Sequence, residues 1–562
     1  MSSFEPRHGE RHVVIIGAGL FTSNVSLSLA GIAAALELKK QLGFEHFTIY
    51  EKEHTVGGVW RDNTYPGCGS DVAAHWYSLS SELNPDWPSR YASQPEIRAY
   101  WERIYNKHAL AAHTCFHTEV VGADWNENER LYHITLEDTQ SKEQRVVNAN
   151  VVWWAAGAFY APFFPDDVPG VKDFKGDVWH SARWNHNVDL HGKRVGVIGN
   201  GCSGAQLIPR ISEDPTVQVT NFVRSQQWFV PRSVYSATVK SIFRYVPGIM
   251  RAYRACLYWK TELNFLMLND TDNFMHKAAI KDWTEYIRKA APEKYIDKLI
   301  PTSPPGCKRV VLDPGYLASL HRPNVHLNCT PIDSVCEEGL RLETGKVVPL
   351  DVIIFATGFS TLPPRLQVSG RNGETLSHFF DSVGGPAAYL GLAVPHFPNL
   401  FMLLGPNTAS GHASAIFNEE VQIDHALQLM RPILKGTADA FEVKEAAFTQ
   451  YNEWIQKRLA RSVWAHCRSW YRGRTQDGRN YIIFPGPVTL FWWLTRKARF
   501  SDYMATGAER FDRERRIKRW VQVGAFGVLA ISVIFARHSR WRLPMLVQMA
   551  KTWITSTTAA LV

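Results

Sequence analysis

The sequence lacks the cysteine patterns that mark zinc sites and dithiol redox centres. Its eight cysteines are scattered and form no C-x-x-C pair, so we expect no metal site and no dithiol centre. Residues 1–12 are polar and charged and lack the apolar core of a secretory signal peptide. Both absences predict a reducing compartment, with the protein in the cytosol or facing it.

The chain also lacks an acidic balance, because its formal net charge is +9. A basic excess is typical of nucleic-acid-binding proteins, but here it is confined to one end of the chain. From Glu509 to Lys551 there are ten Lys/Arg residues and three Asp/Glu residues. The remainder is therefore nearly neutral, so we expect no nucleic-acid partner and predict contact of the C-terminal segment with a membrane surface.

Long uncharged apolar runs are scarce, and the clearest one lies in the basic tail at Trp520–Ala536. Its length is at the lower limit of ~17 residues for a spanning helix. The larger basic cluster precedes it, which favours a cytosolic position for that side. We therefore predict a transmembrane helix at 520–536 that anchors a cytosol-facing body, with the endoplasmic reticulum as one candidate membrane. The alternative is a helix packed on the body or lying on a surface, in a cytoplasmic protein.

Two glycine-rich loops are present, and each follows a short apolar run. Gly17-Ala-Gly19 follows the first run, and Gly199-Asn-Gly201-Cys-Ser203-Gly204 follows the run Lys193–Ile198. Such glycines let the backbone turn tightly and approach a pyrophosphate at a helix N-terminus. The sequence therefore predicts two dinucleotide-binding βαβ units.

The first loop departs from the G-x-G-x-x-G pattern, because Thr22 stands where the third glycine belongs. Ala30-Gly31 resumes the pattern, so the residues from Phe21 to Leu29 have the character of an insertion. The insertion is either a real disruption of the loop or an incorrectly predicted splice junction. Glu51 closes the second strand, where a carboxylate can accept both hydroxyls of a ribose.

A third pattern, F-x-G-x-x-x-H-x-x-x-W, lies between the two loops at Phe174, Gly176, His180 and Trp184. Two phosphate loops flanking this pattern resemble the Baeyer–Villiger monooxygenases. The resemblance implies an enzyme that uses FAD, NADPH and O2 to insert one oxygen atom beside a ketone carbonyl, giving an ester or lactone. Asn185 departs from the Pro or Asp usual in the family, while Trp184 favours the ketone branch over N-hydroxylating relatives.

The resemblance assigns the first loop, with Gly17, Gly19, Gly31 and Glu51, to FAD. A second family pattern, G-G-x-W-x-x-x-x-Y-P-G-x-x-x-D, runs from Gly57 to Asp71. In the family this segment lines the flavin, which implies that Gly58 and Trp60 bind it and that Asp71 reaches the active site. Tyr77 is expected near the flavin on the same ground.

The second loop, with Gly199, Gly201, Ser203 and Gly204, is assigned to NADPH. Arg224-Ser225 follows its second strand where an NAD-binding protein carries an acidic residue, and an arginine can pair with the 2′-phosphate. Lys308 matches a family lysine that adds a second charge to this phosphate.

Arg309 matches the family arginine that pairs with the aspartate, here Asp71. Because a guanidinium stays charged, it can stabilise an oxyanion without readily giving up a proton. Arg309 and Asp71 are therefore the predicted catalytic residues. By resemblance, His180 couples domain rotation to the cofactor cycle, and we assign it a conformational role rather than that of a general base.

The expected fold is α/β, with two Rossmann-like dinucleotide-binding domains, a helical insertion between about 236 and 300, and a C-terminal hydrophobic helix. The predicted domains are the first part of the FAD-binding domain (1–160), a linker with the fingerprint (161–192), the NADPH-binding domain (193–345), the return of the FAD-binding domain (346–507) and the basic tail (508–562).

The resemblance covers roughly residues 11–505. Segments 405–412 and 467–471 are similar to fungal members, which implies a polyketide, terpenoid or steroid-like secondary metabolite as the ketone substrate. Two alternatives stay open: a related flavin hydroxylase acting on nitrogen, sulfur or carbon, and an inactive, flavin-free binding protein whose first loop is disrupted by the insertion.

Overall fold

The computed structural model of the chain describes residues 10–17, 29–155, 161–235, 242–360, 366–465, 469–472, 479–538, 548–549 and 551–552. Gly19, most of the predicted insertion and the domain boundary predicted at 160 lie outside these ranges. The chain divides into two compact units, Met1–Arg431 with Glu442–Met504, and Pro432–Phe441 with Ala505–Val562. The first unit contains both predicted nucleotide-binding units.

The strands have the following bounds: β1 (Val13–Ile16), β2 (Phe47–Tyr50), β3 (Thr114–Cys115), β4 (Thr118–Asn126), β5 (Leu131–Asp138), β6 (Gln144–Ala149), β7 (Val151–Trp154), β8 (Ala161–Pro162), β9 (Asp177–His180), β10 (Arg194–Ile198), β11 (Gln218–Phe222), β12 (Phe229–Pro231), β13 (Val311–Asp313), β14 (Val325–Asn328), β15 (Ile332–Cys336), β16 (Gly339–Leu342), β17 (Val347–Pro349), β18 (Val352–Phe355), β19 (Phe359–Ser360), β20 (Gln367–Ser369), β21 (Leu400–Met402), β22 (Ala440–Val443) and β23 (Tyr503–Thr506).

The α-helices have the following bounds: α1 (Ala30–Leu42), α2 (Val59–Asp62), α3 (Gln94–Lys107), α4 (Cys202–Ile211), α5 (Ile249–Asn269), α6 (Phe274–Ala290), α7 (Ile296–Leu299), α8 (Tyr316–Ser319), α9 (Leu376–Ser382), α10 (Ala415–Leu434), α11 (Glu445–Leu459), α12 (Val488–Thr495) and α13 (Glu509–His538).

The first parallel sheet has the strand order β21-β7-β1-β2-β3. Its central strand β1 is parallel to both neighbours, with Val13 opposite Phe47 and Val151. All four residues of β1 are buried, as expected for a strand covered on both faces. The sheet confirms the α/β interpretation of the first glycine-rich loop.

The second parallel sheet has the order β14-β11-β10-β18-β9 and differs from the sequence interpretation at two strands. β9 carries His180 opposite Phe355 of β18, so part of the predicted linker 161–192 is the edge strand of this sheet. β18 also belongs here, so the return to the first sheet begins after it rather than at 346. The sequence patterns did not assign β9 and β18 to this sheet, because the sequence of a short buried strand does not show which sheet the strand joins.

The helical insertion is confirmed over its described part, where α5 and α6 follow one another. A mixed sheet of order β20-β4-β5-β6, in which β20 is parallel to β4 and the other pairs are antiparallel, was not predicted. β4 and β5 pair over most of their length, with Trp125 opposite Tyr132. Because its strands mix buried and exposed residues, this sheet gave no continuous apolar run to recognise.

The C-terminal segment forms the helix α13, but the predicted transmembrane span at 520–536 is not supported. Among the residues the structure describes, no helix is long and apolar enough to cross a membrane. The first half of α13 is densely charged, and Gln522 and two glycines interrupt the apolar part.

Candidate cofactor and active site

The first glycine-rich loop brings strand and helix into close contact at Gly31. Gly17 has φ 99°, and its N–H donates to the carbonyl of Tyr50 at 2.9 Å. A Cβ added at Gly31 would lie 2.0 Å from the carbonyl oxygen of Gly17, so only glycine fits there. Gly31 thus occupies the place of the third glycine, although the sequence separates it from Gly17 by the insertion.

The second loop shows a similar close approach of two glycines and has no insertion. Gly199 has φ 109°, and a Cβ at Gly204 would lie 2.3 Å from the Gly199 carbonyl oxygen. A Cβ at Gly201, the residue before α4, would meet nothing within 4 Å. The space in front of Gly201 is therefore open where a phosphate would approach the helix N-terminus.

Glu51 lies directly after β2 and is 1% exposed. Its Oε1 accepts the backbone N–H of Glu53 at 3.0 Å and lies 3.6 Å from Nη1 of Arg61. A buried carboxylate at the carboxyl end of β2 suits a ribose that projects from the first loop.

The segment after Glu51 forms a tight turn into α2. Gly57 and Gly58 both have positive φ, 113° and 47°, which only glycine adopts readily. Trp60 is 7% and Tyr77 3% exposed, and their rings make an edge contact at 5.9 Å. The structure therefore places Tyr77 against Trp60, two residues after Gly58 in the turn.

The cations predicted to bind a 2′-phosphate also lie close together. Nζ of Lys308 donates to the hydroxyl of Ser225 at 2.7 Å. Arg224 is exposed and pairs with Asp167 at 3.3 Å. Burial, followed by the charge of Arg224, lowers the pKa of Lys308. An anion bound between these two cations would relieve their repulsion.

Arg309 and Asp71 form a two-pronged ion pair inside the first unit. Nε of Arg309 donates to Oδ2 of Asp71 at 3.0 Å, and Nη2 donates to Oδ1 at 2.9 Å. The side chains are 13% and 7% exposed. Burial alone would lower the pKa of Arg309, but the carboxylate outweighs it and the pKa is raised.

The surroundings of Arg309 include groups that the sequence interpretation did not assign. The electrostatic influence of Tyr471 and Cys202 reaches the guanidinium. Burial lowers the pKa of His412, and the charge of Arg309 adds to this in the same direction. His412 and Tyr471 lie in segments 405–412 and 467–471, whose sequences are similar to fungal members of the family. The similarity of those segments to the family is the sequence signal that could have drawn attention to Tyr471 and His412.

Tyr65 and Gln206 join the two nucleotide-binding units and were also missed. The Tyr65 hydroxyl donates to Oε1 of Gln206 at 2.8 Å and lies 3.4 Å from Oγ of Ser203. Nε2 of Gln206 donates to the carbonyl of Gly69 at 2.9 Å. The Tyr-Pro-Gly segment before Asp71 is thereby fixed to α4, next to the second loop.

The fingerprint residues have structural surroundings rather than an open site. Phe174 packs in the core beside the second sheet, and a Cβ at Gly176 would lie 2.3 Å from the carbonyl oxygen of Asp351. His180 is 1% exposed, and its Nδ1 accepts the N–H of Ala182 at 3.1 Å. Burial lowers its pKa to about 4. Trp184 makes an edge contact with Trp179 at 5.5 Å.

The structure also shows how the cysteines and the possible metal ligands are arranged. No cluster of His, Cys, Asp or Glu suited to a metal ion occurs within the described ranges. Cys307, however, is disulfide-bonded, a linkage that the scattered cysteines did not predict. Sequence spacing identifies only local pairs, whereas the fold can join cysteines that are distant in sequence.

A model of the flavin-binding monooxygenase-like family matches residues 10–370. The chain is 35% identical over 504 residues to the "Baeyer-Villiger monooxygenase" of Pseudomonas aeruginosa, covering 88% of this chain and 91% of the relative. It is 31% identical over 519 residues to the "FAD-binding monooxygenase ktnD" of Aspergillus niger, covering 88% and 82%. The crystal structure of OTEMO in complex with FAD and NADP superposes with a TM-score of 0.75, at 26% identity, over 88% of this chain and 99% of that one.

These matches extend over both nucleotide-binding units and the segments that carry Asp71, Arg309 and the fingerprint. The chain therefore belongs to the flavin-binding monooxygenase-like family and, within it, to the Baeyer–Villiger monooxygenases.

Proposed function

We propose that this enzyme uses FAD, NADPH and O2 to insert one oxygen atom beside a ketone carbonyl, giving an ester or lactone. The observation that carries the proposal is the buried Arg309–Asp71 pair in a chain with two dinucleotide-binding loops. The proposed substrate class, a polyketide, terpenoid or steroid-like secondary metabolite, rests on the resemblance of two late segments to fungal members.

The residues of the first loop fit FAD. The close approach of Gly31 to Gly17 places the start of α1 near the end of β1, where a pyrophosphate binds. Glu51 is buried at the position from which a carboxylate binds ribose. Gly58, Trp60 and Tyr77 would contact the rest of the group. Bound FAD would supply the chemistry that transfers electrons to O2.

The residues of the second loop fit NADPH. Gly199, Gly201 and Gly204 leave the N-terminus of α4 open to phosphate, with Ser203 in its first turn. Arg224, Ser225 and Lys308 would hold the 2′-phosphate, because two cations and a hydroxyl meet there and NADH has no group to place between them.

Arg309 would contribute a fixed positive charge to the oxygenation. Asp71 holds the guanidinium by two hydrogen bonds, so the charge does not have to be reoriented as negative charge develops on oxygen. His180 is neutral and buried in an edge strand. It would couple to domain rotation and would not act as a general base. Phe174, Gly176 and Trp184 would hold that strand in place.

A ketone panel tests the proposal. Purified enzyme with FAD should consume NADPH and form a product one oxygen atom heavier than at least one ketone. Oxygenation of amines or sulfides, with every ketone left unchanged, would instead identify the related hydroxylase.

A further inference from the structure

Glu262 is a buried carboxylate on α5 that the proposed chemistry does not use. Its Oε1 accepts the N–H of Val488 at 2.9 Å, and its Oε2 accepts the N–H of Thr489 at 3.0 Å together with the Thr489 hydroxyl. Burial alone would raise the pKa of Glu262, but its hydrogen bonds with His412, Thr489 and Val488 outweigh burial and the pKa is lowered. Glu262 is therefore an ionised group that joins the middle of α5 to the start of α12.

The third residue that contacts the Glu262 carboxylate is His412, whose side chain is 2% exposed. Nε2 of His412 lies 3.4 Å from Oε1 of Glu262, and Nδ1 lies 3.1 Å from Oγ of Ser410. Oγ of Ser410 accepts the N–H groups of His412 and Ala413, so its own proton is directed to Nδ1. The imidazole is consequently neutral and donates from Nε2 to Glu262.

The segment with His412 lies beside the segment with Arg309, and α5 packs against both. A Cβ at Gly306 would lie 2.1 Å from Leu268 of α5, and a Cβ at Gly411 would lie 3.6 Å from the same side chain. The ring of Phe265, also on α5, lies 5.2 Å from that of His412. One face of α5 thus supports both segments.

We propose that Glu262 and His412 are positioning residues that hold the Arg309 guanidinium on Asp71 during oxygenation. Glu262 accepts from Nε2 of His412 and so holds the ring in one orientation, on the segment that shares the support of Leu268 with the segment of Arg309. Without Glu262 the imidazole loses the hydrogen bond that holds its ring, and α5 keeps only its apolar contacts with the 405–412 segment. Arg309 would then lose one wall of its site. This inference rests on the proposed function.

Four variants separate positioning from general stability. Glu262→Gln removes the charge, and His412→Phe removes both ring nitrogens at similar size. His412→Gln keeps a donor toward Glu262 and an acceptor toward Ser410. Glu420→Gln is the matched control, because Glu420 is a carboxylate on α10 that pairs with Arg254 of α5 at 3.3 Å and accepts the backbone N–H of Ser80.

The first readout is oxygenated product formed per NADPH consumed. We expect Glu262→Gln and His412→Phe to lower it about tenfold, equivalent to about 1.4 kcal/mol, with hydrogen peroxide formed instead from O2 and the electrons of NADPH. Reduction of bound FAD by NADPH without O2 should stay within about twofold, since Arg309 acts after it. His412→Gln should recover most of the coupling, and Glu420→Gln should retain it.

The second readout is the crystal structure of Glu262→Gln, in which Arg309 should leave Asp71. Retention of both hydrogen bonds there, or unchanged coupling in His412→Phe, would refute the positioning role. Equal loss of coupling in Glu420→Gln would show a general effect on stability and refute it as well. If the wild-type enzyme forms no oxygenated product, the proposed function fails, while the crystal structure still decides the position of Arg309.

Discussion

Replacing Arg309 by alanine should separate the two halves of the proposed reaction. The guanidinium donates two hydrogen bonds to Asp71 and is largely buried. Its removal deletes a fixed charge partner of the developing oxyanion, which typically costs ~100-fold or more in rate, or about 2.7 kcal/mol. Ester formation should fall by at least ~100-fold, whereas reduction of FAD by NADPH should remain measurable.

The same substitution leaves the Asp71 carboxylate buried without its partner. Breaking a buried ion pair by removing one member costs roughly 3–5 kcal/mol, so the thermal midpoint of Arg309→Ala should also fall. Adding Asp71→Asn removes the unpaired charge and should restore part of the stability without restoring ester formation. Arg309→Lys keeps the charge but cannot form the two-pronged contact, so its activity should be intermediate.

The assay combines two measurements on each purified variant. Anaerobic mixing with NADPH follows the loss of FAD absorbance at roughly 450 nm, and chromatography of aerobic reactions quantifies the ester. Normal ester formation by Arg309→Ala would refute the assignment of Arg309. Loss of both FAD reduction and ester formation, with recovery of both in the double variant, would assign the ion pair to folding alone.

Four further predictions concern other parts of the chain. Arg224→Ala should raise the KM for NADPH roughly tenfold and leave that for NADH within about twofold; equal changes in steady-state assays with both would mean a structural role. Deleting residues 21–29 restores G-x-G-x-x-G and should increase bound FAD per chain, because the α1 N-terminus then follows the loop directly; unchanged occupancy would mean a tolerated insert. A chain ending after Arg516 should keep its activity, since it retains Phe511, which packs on Phe441 at 5.5 Å, and activity lost on truncation would assign the rest of α13 to the enzyme. Burial holds the pKa of His180 near 4, below the 6.5 of the unfolded chain. Its contribution to stability is therefore complete above pH 6.5 and is lost as the pH falls toward 4. The thermal midpoint of His180→Asn should fall less steeply over that range than that of the wild type, and parallel plots of midpoint against pH would contradict this.

Local patterns predicted both parallel sheets because phosphate loops impose their own geometry. A glycine at positive φ and a glycine under the helix are required wherever a strand turns into a phosphate-binding helix, so Gly17, Gly199 and Gly204 were readable from sequence. Gly31 was also assigned despite the insertion, because it restored the spacing to Glu51. The close approach of Gly31 to the Gly17 carbonyl agrees with that assignment.

The residues that depend on distant packing were not predicted. Nothing near Glu262 in sequence indicates that it meets His412, since 150 residues separate them. The same holds for Gln206 and Tyr65, which are 141 residues apart. The Arg309–Asp71 pair, 238 residues apart, was predicted only because the resemblance supplied it. The predicted membrane span is not supported for another reason. The prediction relied on the composition of one uncharged stretch, and this stretch follows the densely charged first half of the same helix.

Labelled oxygen tests the central claim most directly. The purified enzyme with FAD, NADPH and a ketone that it accepts should be allowed to react under ¹⁸O2, and the product analysed by mass spectrometry. One ¹⁸O atom in the ester or lactone is the result we predict, because the inserted oxygen comes from O2. Product that carries no label, or consumption of NADPH and O2 that yields only hydrogen peroxide with every ketone tried, would contradict the account.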